Sequence, residues 1–92
     1  MHTAERRTRV GRLSSLAPGQ SACIEHIEST SAIRRRMEDM GLHPGVRICC
    51  ERISFLGDPG AYRIGDTGTV VALRGIDAQT VHIREDGDAP WA

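Results

Sequence analysis

Apolar and polar positions alternate most clearly in "VRICCERIS". Val46, Ile48 and Cys50 fall on one side, and Arg47, Cys49 and Glu51 on the other. This is the period-2 signature of a half-buried strand. "SACIEHIE" alternates with a break, which predicts a strand carrying a bulge. A short strand around Tyr62 and Ile64 follows, and then "TVVAL" and "TVHIR", joined by "RGIDAQ". Turn signals separate these runs: "APGQ", "GDPG", and "GDTG", whose glycines suit a hairpin. About five short strands and little helix in 92 residues predict a mainly β fold in the form of a small, strongly bent barrel.

One stretch breaks the alternation. Ile33, Met37 and Met40 recur at helical spacing, while Arg34, Arg35, Glu38 and Asp39 point elsewhere. Ser29, Thr30 and Ser31 offer an N-cap hydroxyl. Gly41 stands where a left-handed residue ends a helix, and Leu42 stands where it would meet Met37 in a Schellman ending. His43-Pro44-Gly45-Val46 then reads as a type II turn with proline and glycine at its centre. The segment "MEDMGLHPGV" therefore ends a helix, turns and launches a strand. Ile33, Met37, Met40 and Leu42 are expected to hold that helix against the barrel.

Residues 1–12, with Arg6, Arg7, Arg9 and Arg12, show no apolar periodicity and read as a flexible basic tail. The acidic residues 86–92, which include Trp91, read as a second tail, leaving one domain over 13–85. Formal net charge is zero and aromatic residues make up 3% of the chain. That composition argues against nucleic-acid binding, which calls for basic excess and stacking platforms. Glu38 and Asp39 offset Arg34, Arg35 and Arg36 within a turn. All twelve cations are arginine, with no lysine and no asparagine, as a GC-rich coding sequence would give. No apolar run approaches the ~18 residues of a membrane span, and no apolar stretch follows the basic start as in a secretory signal. The expected location is the cytoplasm, with no direct insertion into a membrane.

Three cysteines, Cys23, Cys49 and Cys50, make an odd count, and two of them are adjacent. Adjacent residues form disulfides poorly, so reduced thiols are expected. Cys50 lies on the apolar side of its strand and reads as a packing residue. Cys23 and His26, with Cys49 and His82, are the candidates for weak coordination of a divalent transition metal. No second C-x2-C or H-x3-H pair completes a structural tetrahedral site, so no cofactor is firmly implied. There is no nucleophile elbow, no phosphate loop before a helix and no zinc-protease motif. The chain reads as a non-enzyme.

In order, "LSSLAPGQSACIEHI", "RRRMEDMGLHPGVRICCERI", "LGDPGAYRI" and "VVALRGIDAQTVHI" resemble the bacterial ferrous iron transport protein A family, FeoA, from about Leu13 to Glu85. The segment "GAYRIGDTGTVVALR" is a couple of residues longer than the usual spacing, so the hairpin around Asp66 departs from the pattern. The resemblance implies an SH3-like small β-barrel with one short inserted α-helix. It also implies a cytosolic accessory role in ferrous iron uptake beside the large GTP-dependent permease FeoB. Two other readings are a metal-responsive regulatory module and a metallochaperone carrying Fe(II). Self-association into a homo-oligomer is open. An accessory barrel without an active site acts by contact. The candidate contact residues are Leu56, Gly57 and Asp58 in the Gly-Asp-Pro turn, with Leu42 at the helix end.

Overall fold

The computed structural model describes residues 8–65 and 67–86. Six strands form one antiparallel sheet: β1 (Thr8–Arg12), β2 (Ser21–Ile27), β3 (Arg47–Ile53), β4 (Gly60–Ile64), β5 (Val70–Leu73) and β6 (Val81–Asp86). Their order is β1-β6-β2-β3-β4-β5, so β1 and β5 hold the two edges. Helix α1 (Ser31–Asp39) joins β2 to β3, and the one-turn helix α2 (Gly75–Ala78) joins β5 to β6.

Each alternating pattern lands as its sequence dictates. In β3, Ile48 and Cys50 are buried, Val46 packs beside them, and Arg47, Cys49 and Glu51 face outward. In β2, Ala22, Ile24 and Ile27 are buried. The spacing from Ile24 to Ile27 is odd, and the register against β6 shifts between Ile24 and His26 to accommodate it. This is the bulge that the broken alternation predicts, and it lets β2 keep its apolar side inward on both sides of the break. The inward residues meet in one core that also takes Leu13, Leu16, Tyr62, Ile64, Leu73, Ala78, Val81 and Ile83. Each fully buried leucine or isoleucine contributes roughly 1.5–3 kcal/mol of burial free energy.

Helix α1 closes one side of that core. Thr30 is its N-cap, with the hydroxyl accepting from the Ile33 N–H at 3.3 Å. At the other end the Leu42 N–H donates to the Met37 carbonyl (3.1 Å) and the Gly41 N–H to the Glu38 carbonyl (2.9 Å). This is the Schellman pair of bonds, and Gly41 adopts the left-handed φ of 105° that it requires. The Val46 N–H then donates to the His43 carbonyl, with Gly45 at φ 91°. The Gly45 N–H donates to the Ile24 carbonyl at 2.7 Å, which pins the turn to β2.

Four expectations change. Thr8–Arg12 lies in the segment expected to be tail but forms strand β1, because β6 offers it a free edge from His82 to Asp86. This makes six strands where about five were expected. "RGIDAQ" contains α2, a second helix. Met40 is 38% exposed, since Leu42, fully buried, takes the place beneath the helix end. Residues 1–7, Asp66 with its departure from the family pattern, and the end of the acidic segment with Trp91 lie outside the described residues.

Candidate functional site

Two surface features stand out, one apolar and one coordinating. The apolar feature begins where β3 ends. The Ser54 carbonyl accepts from the Gly57 N–H at 2.7 Å, and the Ser54 N–H donates to the Pro59 carbonyl at 3.0 Å. The intervening residues are drawn into a tight loop, with Gly57 at φ 88° and a cis Asp58–Pro59 bond. At its tip Phe55 is 100% exposed and Leu56 84% exposed. The Asp58 carboxylate accepts from the Gly75 N–H at 2.8 Å, fastening the loop to the first residue of α2. The next residue, Ile76, is also exposed. A loop carrying two large apolar side chains is thus held in place by backbone and side-chain hydrogen bonds while the side chains stay in water. Neither covers the core.

The expected contact residues therefore divide. Leu56 and Gly57 are at the exposed loop, and Asp58 is exposed but has one carboxylate oxygen committed to Gly75. Leu42 is withdrawn from the surface, because the turn at Gly41 directs it into the core. Phe55 adjoins Leu56 at the loop tip, and Ile76 follows the Gly75 anchor; both are exposed, although their segments read from the sequence only as turn and connection.

The coordinating feature lies on the outward face of β2 and β6. His26 registers with His82, and their rings stack with centroids 4.3 Å apart and planes 11° from parallel. The His82 Nε2–H donates to Glu28 Oε1 at 2.6 Å. The Glu28 N–H donates to the Thr80 carbonyl, so Glu28 continues the β2–β6 pairing past Ile27. Residues two apart on a strand share a face, which puts Glu28 beside His26 and diagonal to His82. Next along, Arg84 is paired with Glu25, the bulge residue.

Of the four metal candidates, the fold unites His26 and His82 and leaves out Cys23 and Cys49. Cys23 registers with Arg47 and Arg84, and Cys49 with Ser21 and Arg63. Both thiols are half-buried. Glu28 was missed; the only sequence signal for it is its i+2 spacing from His26. Cys50 is buried, and burial first, then the neighbouring Cys49 and Glu51 charges, push its thiol pKa up. Arg63 donates to Glu51 at 2.6 Å and holds that carboxyl below its usual range.

A six-stranded antiparallel sheet on a single core, with a short helix between β2 and β3, defines a small SH3-like domain. Solved structures share it. The FeoA protein from Chlorobium tepidum is 29% identical, with TM-score 0.76 over 86% of this chain and 74% of its own. The Stenotrophomonas maltophilia FeoA complexed with zinc, described as a prokaryotic SH3-domain protein and candidate ferrous iron transport activating factor, is 26% identical. Its TM-score is 0.68 over 84% of this chain and 98% of its own. A manganese-dependent transcriptional repressor shares the fold alone, at 15% identity and TM-score 0.76, over 83% of this chain and 36% of the repressor. No curated protein matches. The FeoA domain matches residues 11–85, and the chain belongs to the FeoA family. Membership places it in ferrous iron transport, in a family of accessory proteins rather than known enzymes. No helix among the described residues is long and apolar enough to cross a membrane.

Proposed function

We propose that this protein is a cytoplasmic accessory factor that promotes ferrous iron uptake by touching the cytosolic part of a FeoB-type permease. The observation that carries the proposal is the exposure of Phe55 and Leu56 at the tip of a loop pinned to α2 through Asp58. Leaving large apolar side chains in water costs burial free energy, and a pinned loop cannot fold them inward. Such a patch is the usual mark of a partner surface, and aromatic and aliphatic anchors contribute most where a partner desolvates them. The protein acts by contact, not by turnover.

Ferrous uptake by cells that carry the Phe55→Glu, Leu56→Glu double variant tests this. The variant is expected to fold with a near-normal unfolding midpoint and to leave uptake at the level of a strain lacking the protein. Normal uptake with that variant would contradict the assignment of the loop.

A further inference from the structure

We infer that His26, Glu28 and His82 form a binding site for one divalent first-row transition-metal ion on the outward face of β2 and β6. A nitrogen of each ring and a carboxylate oxygen of Glu28 all lie within 4.8 Å of one another, and among the described residues they are the one such group. Metal–ligand bonds of about 2.0–2.2 Å in a tetrahedral site put neighbouring donors roughly 3.3–3.5 Å apart. A pair near the 4.8 Å limit must close by up to about 1.5 Å, and the His82–Glu28 pair, at 2.6 Å, must open by about 0.8 Å. His26 and Glu28 are exposed, so both can rotate without disturbing the core.

The β2 bulge makes the arrangement possible. Were the strand regular, the alternation that buries Ile24 would turn His26 and Glu28 inward and Ile27 outward; the bulge at Glu25 keeps Ile27 buried and puts His26 and Glu28 on the outward face. The strand pairing then fixes all three backbones, because His26 faces His82 and the Glu28 N–H is bonded to Thr80. Lone pairs of an imidazole lie in the ring plane, so two parallel rings cannot both aim at one ion. Binding therefore tilts His26 out of the stack. The ion takes the place of the hydrogen between His82 Nε2 and Glu28 Oε1, and a neutral ring carries its proton on Nδ1 instead.

Two imidazoles and a carboxylate suit borderline ions such as Zn(II), Co(II), Ni(II) and Fe(II), while Mg(II) and Ca(II) favour oxygen donors alone. Three protein ligands leave a coordination position to water or a second molecule, so the site is open. It uses neither Cys23 nor Cys49, and it stands independently of the Phe55–Leu56 contact.

The test is a Zn(II) titration, with Co(II) as a spectroscopic stand-in, of the untagged, reduced full chain with the Cys23→Ser and Cys49→Ser substitutions, Cys50 being buried in the core and kept. One ion per chain should bind, and millimolar Mg(II) should not displace it. His26→Ala and Glu28→Ala, both at exposed positions, should keep the unfolding midpoint yet weaken binding by about tenfold or more. Zn(II) should shift the ring resonances of His26 and His82 and leave those of His43 in place. Three results would overturn the site: no binding in the Cys23→Ser, Cys49→Ser chain at a near-normal unfolding midpoint, affinity unchanged in His26→Ala and Glu28→Ala, or ring shifts at His43 instead. Permease pull-down by His26→Ala should remain normal, which keeps this test separate from that of the apolar loop.

Discussion

The carboxylate of Asp58 accepts a hydrogen bond from the backbone N–H of Gly75 at 2.8 Å, joining the loop after β3 to the helix after β5. The acceptor is fixed at the end of the loop that displays Phe55 and Leu56, and the donor opens the helix that displays Ile76. Removing the acceptor frees the loop and leaves a helix-terminal donor to water. Asp58→Ala is expected to lower stability by about 0.5–2 kcal/mol, the range for losing a side-chain cap. Asp58→Asn retains an oxygen and should recover most of that loss. Chemical denaturation of the two variants measures the difference; equal losses would mean that the hydrogen bond contributes little.

Met37 and Met40 lie on nearly the same side of α1 but in different surroundings, with Met37 2% exposed and Met40 38%. Met37→Asp places an unpaired carboxylate in the core and should cost several kcal/mol. Met40→Asp should cost much less. Thermal unfolding of both variants checks the contrast, and similar midpoints would count against the packing of α1.

Gly41 combines a left-handed φ of 105° with close packing, since an added Cβ would lie 3.1 Å from the Ile64 side chain. Gly41→Val should therefore destabilise by roughly 1–2 kcal/mol or more. Gly19, also left-handed but open on all sides, is the control: Gly19→Ala should cost less than Gly41→Ala in equilibrium unfolding.

Burial raises the Cys50 thiol pKa, so the folded state favours the protonated form more than the unfolded state does. Stability from this group is intact below the ordinary thiol range and falls as the pH rises through and beyond it. Thiol alkylation at mild alkaline pH should modify Cys23 and Cys49 first and Cys50 only on unfolding. Labelling of Cys50 in step with Cys49 in the native protein would contradict its burial.

Local signals made much of this structure legible. The Thr30 cap, the Gly41 ending and the Pro44-Gly45 turn each depend on a few adjacent residues, and each forms where the sequence places it. The broken alternation of "SACIEHIE" foretold the bulge. Features that rest on distant pairing were not legible. Strand β1 forms because β6 presents an edge, although its own residues lack a pattern. Helix α2 is a single turn, too short for a helical period to show. His26 and His82 are 56 positions apart, so their stack depends on the β2–β6 register, and Glu28 looks like any exposed strand-end glutamate until that register is known. At the apolar loop, Leu56 was noticeable as an isolated leucine in a turn. Phe55 beside it drew no such attention, because a turn sequence alone does not say which side chains the core will accept.

We assign the contact surface for the permease to the pinned apolar loop. Quantitative pull-down of the cytosolic part of a FeoB-type permease by wild type, Leu56→Glu and Phe55→Glu, with unfolding midpoints measured on the same preparations, decides this assignment. Wild type should capture the permease, and both variants should lose most of that capture at unchanged stability. Stable variants that capture the permease as well as wild type would contradict it.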